Sequence, residues 1–401
     1  MAFNGKKYAM AVKVQADANT PATISTSTDM LLCYDIQPGG DPWTLANPEA
    51  TGTRFKRGEL AIGRSRSVTF NVILRGPGGA SPPAADAFVF GRILRAVGYK
   101  EEVQATPLLA TGAITAGTTT SGILPVGASA TDDFYNGLPA ILSDQGVGVK
   151  GITAIRDYVG STRTAHFMET FGVAPAANVT IPAFLGYRFW SAAPDLYLSV
   201  DYWMDQKRYK LTGGTVSQFQ RNVGVSNNSQ TAFTYATITI TGDVHPSTPE
   251  IDEVSPVVAE GGAIPTFRDA DWWLDKLSVC GSSAVSDYQI QTARAPCPSK
   301  ASGGEAPIIT EQSRQWSLSL NEVLLSAKDF NALAQANNEI GTTTSMWAQY
   351  GTSTGKVISM GVCDGRLGYS EPTINGEFVG RNPTLFVDAI EKSEFIVYPY
   401  F

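Results

Sequence analysis

A glycine-rich stretch, DQGVGVKGITAIRDYVGST at residues 144–162, is the first place where residue types and spacing could do chemistry. Gly146, Gly148 and Gly151 match the spacing of a dinucleotide-binding loop, and Lys150 could face a phosphate. A dinucleotide-binding loop and a mononucleotide-binding P-loop both need a helix directly after the glycines, because the N-terminus of that helix faces the anion. Here the residues after Gly151 alternate between apolar and polar and then reach a turn, which is typical of strands and not of a helix. Lys150 is also not followed by the Ser or Thr that a P-loop requires. We therefore interpret the glycines as hairpin residues and expect no nucleotide cofactor.

Other chemistry-bearing residues are sparse. His166 and His245 lack the spacing of a zinc motif, and no G-x-S-x-G nucleophile motif occurs. Adjacent carboxylates such as Asp132 and Asp133 could serve a glycosidase only if the fold brought two suitable acids together. We assign no catalytic, cofactor-binding or metal-ligating residue, and a hydrolase with a dispersed carboxylate pair stays an alternative.

Composition bounds the class of protein. The 401 residues predict two or three domains, and 43% hydrophobic residues are enough for packed cores. Only 17% are charged, against about 25% in average domains, which favours a surface that meets other protein. A net charge of −7 argues against a protein that grips duplex DNA, although acidic walls can let nucleic acid pass without holding it.

Cysteine usage and hydropathy predict the compartment. The four cysteines form no C-x-x-C pair, so we expect free thiols in a reducing cytoplasm. The start MAFNGKKYAMAVKV lacks the apolar core of a signal peptide, and no run approaches the ~18 apolar residues of a membrane helix. We expect a soluble protein without a membrane span.

Period-two alternation predicts strands in four stretches: 65–74, 196–204, 231–243 and 315–325. In the first stretch Val68, Phe70, Val72 and Leu74 share one face, opposite Ser67, Thr69, Asn71 and Ile73. The fold class is therefore mainly β, with an α+β character.

Two helices are predicted. Residues 81–99 have Ser81 as a possible cap, prolines in a first turn and Gly98 as a stop. Residues 326–341 begin with a capping-box-like Ser326 and end at Gly341.

The strand–helix–strand pattern occurs twice, which predicts a domain-sized duplication. Ser65-Arg66 opens one copy as Ser313-Arg314 opens the other, and the later segments 211–243 and 359–389 both end in an alternating strand and an Asp. The predicted organisation is a first domain of residues 1–103 plus 186–246, an inserted β-module at 104–185, a Pro/Glu/Gly linker at 247–262 and a second domain at 263–401.

Residues 132–184 resemble a small glycine-rich β-module that recurs in phage tail and fibre proteins. The matching residues are Asp133, Tyr135, Asn136, Gly137, Gly146, Gly148, Ile155, Tyr158, Gly160 and Thr162. The stretch departs from that pattern at Lys150-Gly151 and at HFMET. The resemblance makes Gly137, Gly146, Gly148, Gly151 and Gly160 structural turn residues of the module.

The remainder resembles the major tail tube proteins of long-tailed phages (siphophages). The residues that carry this resemblance are PATISTSTDMLLCYD, TGTRFKRGELAIGRSRSVTFNVILRG and LTGGTVSQFQRNVGVSNNSQTAFTYATITITGD. It implies two tandem tail-tube-like β-sandwich domains, each with one flanking helix, whose strands join those of neighbouring subunits into a β-barrel around a channel.

The resemblance also implies partners and a location. The chain would assemble with itself into stacked rings, three duplicated copies forming a pseudo-hexamer, with other tail proteins at the tube ends. DNA would pass through the lumen without sequence-specific binding. The protein would be made in the host cytoplasm and reside in the virion. A loop at 38–63 would contact the next ring, through Trp43, Arg54, Phe55, Lys56, Arg57 and Glu59.

The tryptophans leave a second alternative open. Exposed Trp side chains could stack on sugars, so a tail-tip or fibre module that binds cell-surface glycan is the rival interpretation.

Overall fold

The structure, a computed structural model, describes residues 8–40, 42–45, 58, 60–143, 151–175, 178–224, 234–245, 247–258, 272–274, 277–279, 281–296, 305–321, 343–351, 354–368, 371–375, 378–387 and 391–400. Strands dominate these residues, so the chain is mainly β, as the sequence predicts.

The strands up to residue 252 are β1 (Tyr8–Val14), β2 (Met30–Leu31), β3 (Tyr34–Gly39), β4 (Pro42–Leu45), β5 (Leu60–Ile73), β6 (Tyr99–Gln104), β7 (Leu109–Ala113), β8 (Gly117–Thr118), β9 (Ser121–Ile123), β10 (Pro139–Ser143), β11 (Gly151–Val159), β12 (Thr164–Phe167), β13 (Asn178–Ile181), β14 (Ala183–Phe189), β15 (Leu198–Met204), β16 (Lys207–Gly224), β17 (Tyr235–Val244) and β18 (Glu250–Asp252). The later strands are β19 (Trp272–Leu274), β20 (Leu277–Val279), β21 (Gly281–Pro296), β22 (Glu305–Asn321), β23 (Thr344–Tyr350), β24 (Ile358–Leu367), β25 (Pro372–Asn375), β26 (Phe378–Arg381), β27 (Thr384–Val387) and β28 (Glu394–Tyr400). The four predicted strands are present as β5, β15, β17 and β22.

Helix α1 (Val89–Ala96) is shorter than the predicted 81–99. Asp86 has a φ of +64°, in the left-handed region that a right-handed helix cannot include. The N-cap is therefore Phe88 and not Ser81, and no side chain caps the helix. Gly98, with a φ of +97°, follows the helix and donates its N–H to the Arg95 carbonyl, so the predicted stop is confirmed. The predicted helix at 326–341 lies outside the described residues.

One row of antiparallel strands runs through both halves of the chain, in the order β3-β5-β17-β16-β21-β22-β27. The pairing of β16 with β21 joins the strands that precede residue 245 to those that follow residue 280. The row is part of the larger of two sheets among the described strands. Long strands make the row possible, since β16 alone has 18 residues.

Pairing registers recur between the two halves. In the first half Ser67 pairs with Thr241, two residues after Ser65 and two before Asp243. In the second half Gln315 pairs with Phe386, two residues after Ser313 and two before Asp388. The two pairings therefore have the same register relative to the matching Ser and Asp positions. An irregular pairing also occurs in both halves. In the first half, Leu198 and Val200 of β15 pair with Gly214 and Leu211 of β16, so the register shifts by one residue between them. In the second half, Thr344 and Met346 of β23 pair with Gly365 and Val362 of β24, with the same shift. The prediction of two tandem domains stays a prediction.

The smaller sheet has the order β7-β13-β10-β11-β12-β9-β8, and all its strands fall within residues 104–185, the predicted module. It shares a buried cluster with the larger sheet: Tyr158 and Phe167 belong to the same cluster as Trp347, Cys363 and Phe395. The module is therefore packed against β23, β24 and β28.

The main core lies on one face of the row. Val68, Phe70 and Val72 of β5 are buried with Phe90, Ile93 and Leu94 of α1. Strands β1, β14, β15 and β28 add residues to the same cluster. The apolar half of each alternating strand thus faces the helix and these strands, as the period-two pattern predicts.

Candidate functional site

On the other face of the row, two neighbouring rungs of paired residues are mainly polar and carry one charged side chain. Side chains of directly paired residues point to the same face, so a rung of paired residues runs across the strands. The first rung consists of Gln37, Thr69, Thr239, Gln218, Gln289 and Ser313. Every member is exposed or half-exposed and carries an amide or a hydroxyl.

The second rung consists of Tyr34, Asn71, Thr237, Gln220, Asp287, Gln315 and Phe386. Asp287 is the one carboxylate of the two rungs, and Gln289 donates to it over 3.3 Å. Phe386 is the one member whose side chain has no polar group, and it is 52% exposed. Because neither rung contains Lys or Arg, these two rungs offer phosphate no cationic partner.

Hydrogen bonds between neighbouring strands order the polar face. The Thr69 and Thr239 hydroxyls lie 3.0 Å apart, and the Thr237 hydroxyl donates to Asn71 Oδ1 over 2.7 Å. Asn71 Nδ2 donates in turn to Asp35 Oδ2 over 3.4 Å. These side chains therefore satisfy part of their hydrogen bonding among themselves.

Beneath the row, a buried ion triad joins the two halves of the chain. Arg221 of β16 pairs with Glu394 of β28, and Arg314 of β22 contacts the other carboxylate oxygen over 3.0 Å. The Arg314 guanidinium also lies 4.9 Å from the Tyr99 ring centroid and 4.2 Å from that of Phe189. All three charged side chains are buried.

The charges of the triad hold one another in their ionised forms. Burial disfavours the Glu394 carboxylate, but the two arginines outweigh that cost and lower the pKa of Glu394 below its usual value. Burial also disfavours the Arg314 cation, but Tyr99, Glu394 and Tyr288 raise its pKa. The triad therefore couples β16, β22 and β28 within the core.

Polar contacts also fix the module to the larger sheet. Arg188 of β14 pairs with Glu102 and donates to the Asn136 carbonyl over 2.9 Å. Lys392 Nζ donates to the Asp133 carbonyl over 2.8 Å. The module therefore has a defined position against the larger sheet.

Of the predicted inter-ring loop residues, Trp43 lies in β4, where its backbone pairs with Gly63. The others lie outside the described residues: Arg54, Phe55, Lys56, Arg57 and Glu59. Their predicted role in ring stacking stays a prediction.

Three of the predicted module glycines fall in the described part. Gly137 has a φ of +75°, and a Cβ there would lie 2.9 Å from the Phe395 ring. Gly160 lies in a turn, where its N–H donates to Asp132 Oδ1 over 2.7 Å. Gly151 is the first residue of β11 and pairs with Leu142, so it lies in the strand and not in the turn. Gly146 and Gly148 lie outside the described residues.

The histidines occupy structural positions. His166 lies in β12 and pairs with Asp157 and Ser121. His245 Nδ1 accepts the N–H of Thr248 over 3.1 Å, which closes a turn. Within the described residues, no group of three or more His, Cys, Asp or Glu side chains is placed to hold a metal ion. No helix of this described part is long and apolar enough to cross a membrane.

Three tryptophans are unavailable for stacking on a ligand. Trp203, Trp316 and Trp347 are buried in the core. Trp190, half-buried, has Lys100 Nζ 4.2 Å from its ring centroid, so a cation lies close to that ring.

Comparison with known proteins gives no assignment. No protein-family model matches the chain, and no curated protein matches it. Functional inference therefore depends on the geometry of the chain itself.

Sequence reasoning missed both features of this site. Thr and Gln alternate visibly in β5, β16 and β17, but only the registers join them into rungs. Arg221 and Glu394 lie 173 residues apart, and nothing in the local pattern links them.

Proposed function

We propose that this chain is a structural virion subunit that assembles with copies of itself into the stacked rings of a phage tail tube. The resemblance to siphophage tail tube proteins motivates the proposal. The tube would conduct DNA, with other tail proteins binding at its ends.

The row of strands carries the proposal. A sheet with a buried apolar face and with polar, nearly uncharged rungs on its second face suits the wall of a water-filled channel. Its long strands pair across both halves of the chain, so a single subunit supplies a continuous segment of such a wall. Ring closure would join these segments and remove the exposed edges.

The charges of the two rungs and of the whole chain favour passage of DNA through the tube rather than tight binding of DNA. Tight binding to DNA depends on Lys and Arg that displace counterions from phosphates. The two rungs supply only Asp287 as a charged group, and the whole chain carries a net charge of −7. DNA would thus slide past amides and hydroxyls without being held electrostatically.

The recurring registers support the pseudo-symmetric arrangement. If each chain contributes two related halves, three copies make a ring with six-fold pseudo-symmetry. The module would project from the outside of this ring, since it packs on strands that cover the apolar face of the row and not on the polar rungs.

Negative-stain electron microscopy and mass photometry of the purified full chain test the proposal. We expect rings or tubes whose mass steps correspond to trimers, at high protein concentration or beside a tail initiator. A chain that stays monomeric under all these conditions contradicts the proposal, and rings of six full-length chains contradict the pseudo-hexamer.

A further inference from the structure

The pairing between β16 and β21 is a template for a contact between copies. Residues 218–224 of β16 pair antiparallel with residues 283–289 of β21, with Asn222 opposite Val285 and Val223 opposite Ala284. Strand β16 is the outermost strand of the first half in the row, and β21 is the first long strand of the second half.

Each side of this template has a counterpart elsewhere in the chain. On the β16 side, Arg221 and Asn222 pair with Ala236 and Tyr235 of β17. In the other half, Pro372 and Thr373 of β25 pair with Arg381 and Gly380 of β26. Strand β26 then pairs with the end of β22 as β17 pairs with the end of β5. Strand β25 is therefore the counterpart of the end of β16.

On the β21 side, Val285 pairs with Ser317 and Ser286 with Trp316. In the first half, Gln37 pairs with Thr69 and Pro38 with Val68. Because β5 and β22 match through Ser65 and Ser313, β3 is the counterpart of this part of β21. Among the described strands, β3 pairs with β5 alone and β25 with β26 alone.

We propose that β25 of one copy pairs antiparallel with β3 of a second copy, with Thr373 opposite Gln37 and Pro372 opposite Pro38. The template fixes this register, since Asn222 opposite Val285 becomes Thr373 opposite Gln37, and Gln37 and Pro38 lie in the regular part of the β3–β5 pairing, beyond its shift between Tyr34 and Gln37. The inference rests on the proposed self-assembly and specifies its interface. The contact is head-to-tail, so each copy uses one edge of each kind and the chain of contacts can close into a ring.

Exposure of apolar side chains supports this interface. Ile374 is 82% exposed and its cross-strand partner Val379 is 53% exposed. Both lie on the same side of the sheet as Trp316, by the pairing of β26 with β22. Ile36 packs against the main core on that side. A second copy would therefore cover Ile374 with a matching apolar residue.

The polar face continues through the same register. Gln37 belongs to the first polar rung, and Thr373 would lie opposite it. The proposed pairing would thus continue the first polar rung from one copy to the next, with the Thr373 hydroxyl beside the Gln37 amide. No charged group enters the rung at the junction.

The proposed interface contains two prolines, Pro38 in β3 and Pro372 in β25, and neither has a backbone N–H to donate. The proposed register places Pro372 opposite Pro38, so the missing donors affect at most one rung of the ladder. The two prolines are therefore compatible with this register.

Substituting the exposed isoleucine tests the contact without disturbing the core. We expect Ile374→Lys to raise the concentration needed for assembly by about tenfold or more, since a charge would enter the middle of the interface. Val126→Lys is the matched control, because Val126 is 84% exposed in the module. Thermal melts should show both variants folded like the wild type. Equal assembly of the two variants would overturn the interface.

Cysteine pairs test the register. In a Gln37→Cys/Thr373→Cys chain, mild oxidation should give disulfide-linked multimers, because directly opposed residues lie within disulfide reach. A Gln37→Cys/Ile374→Cys chain should link far less, since a shift of one residue turns the side chain to the other face. Each single variant controls for the native thiols.

The outcomes separate the two proposals. Wild-type rings together with an unlinked Gln37→Cys/Thr373→Cys chain would overturn the β3–β25 interface but leave tube assembly standing. A wild-type chain that stays monomeric, with no linked multimers from the cysteine pair, would overturn both.

Discussion

Glu394 is a carboxylate that the core can hold because two arginines accompany it. Arg221 and Arg314 approach its two oxygens from different strands, and Tyr99 lies beside them. A buried ion pair need not stabilise more than an apolar replacement, but removal of one partner leaves an uncompensated charge. The triad therefore couples β16, β22 and β28.

We expect Glu394→Gln to lower the free energy of unfolding by about 3–5 kcal/mol, because two buried guanidinium groups lose their counter-charge. Urea denaturation of the full chain measures this change. Asp252→Asn is the control, since the Asp252 side chain is 89% exposed, and it should leave the midpoint nearly unchanged. A loss for Glu394→Gln no larger than that of the control would contradict the role of the triad.

The same carboxylate gives the stability a pH dependence. Its pKa is lowered in the folded state, so its contribution is complete above the unfolded-state pKa of about 4.3 and disappears as the pH falls through the folded-state pKa. The stability difference between wild type and Glu394→Gln should be constant from about pH 7 to about pH 5 and shrink below about pH 4. Urea titrations across this range measure it, and a difference that grows on acidification would refute the assignment.

At the scale of elements, α1 is fixed by its packing on β14. A Cβ on Gly91 would lie 1.9 Å from the Tyr187 hydroxyl, which donates to Glu101 Oε1 over 2.8 Å. The helix therefore needs glycine at this position although glycine is a weak helix former.

We expect Gly91→Ala to destabilise the protein by about 1–3 kcal/mol through overpacking, despite the better helix propensity of alanine. The thermal midpoint and the urea midpoint measure the effect. Gly172→Ala is the control, because nothing lies within 4 Å of a Cβ there, and it should be neutral. A stabilised Gly91→Ala would mean that helix propensity outweighs the contact with Tyr187.

Some elements could be read from the sequence and others could not. Strand β5 was predictable because alternation of Val68, Phe70 and Val72 with polar residues is a local signal, and burial confirms it. The length of α1 was not, since Ser81 and the following prolines look like a helix start. The left-handed Asp86 excludes that start, and its conformation is not visible in the residue pattern.

For the whole molecule, the shared cluster predicts that module and larger sheet unfold together. Phe395 is fully buried, lies in β28 and belongs to the same buried cluster as the module residues Tyr135 and Phe167. Removing its ring would leave a cavity at the contact between the two sheets.

We expect Phe395→Ala to cost about 3–5 kcal/mol and to lower hydrogen-exchange protection in β10 and β11 as well as in β24 and β28. Exchange measured by mass spectrometry checks both regions in one experiment. Phe386→Ala is the control, because Phe386 is half-exposed, and it should change neither the free energy of unfolding nor the exchange protection of either region. Loss of protection confined to β24 and β28 would show that the module is an independent folding unit.

The sequence by itself determined that this chain is mainly β and which side of several strands is apolar, because period-two alternation is written in neighbouring residues. It also determined the low charge and the matching Ser65 and Ser313 positions. Only the tertiary structure decided which strands are neighbours, and hence that separate Thr, Gln and Asn residues form polar rungs and that Arg221 meets Glu394. Register between distant strands depends on the packing of the whole core, and no local pattern encodes it.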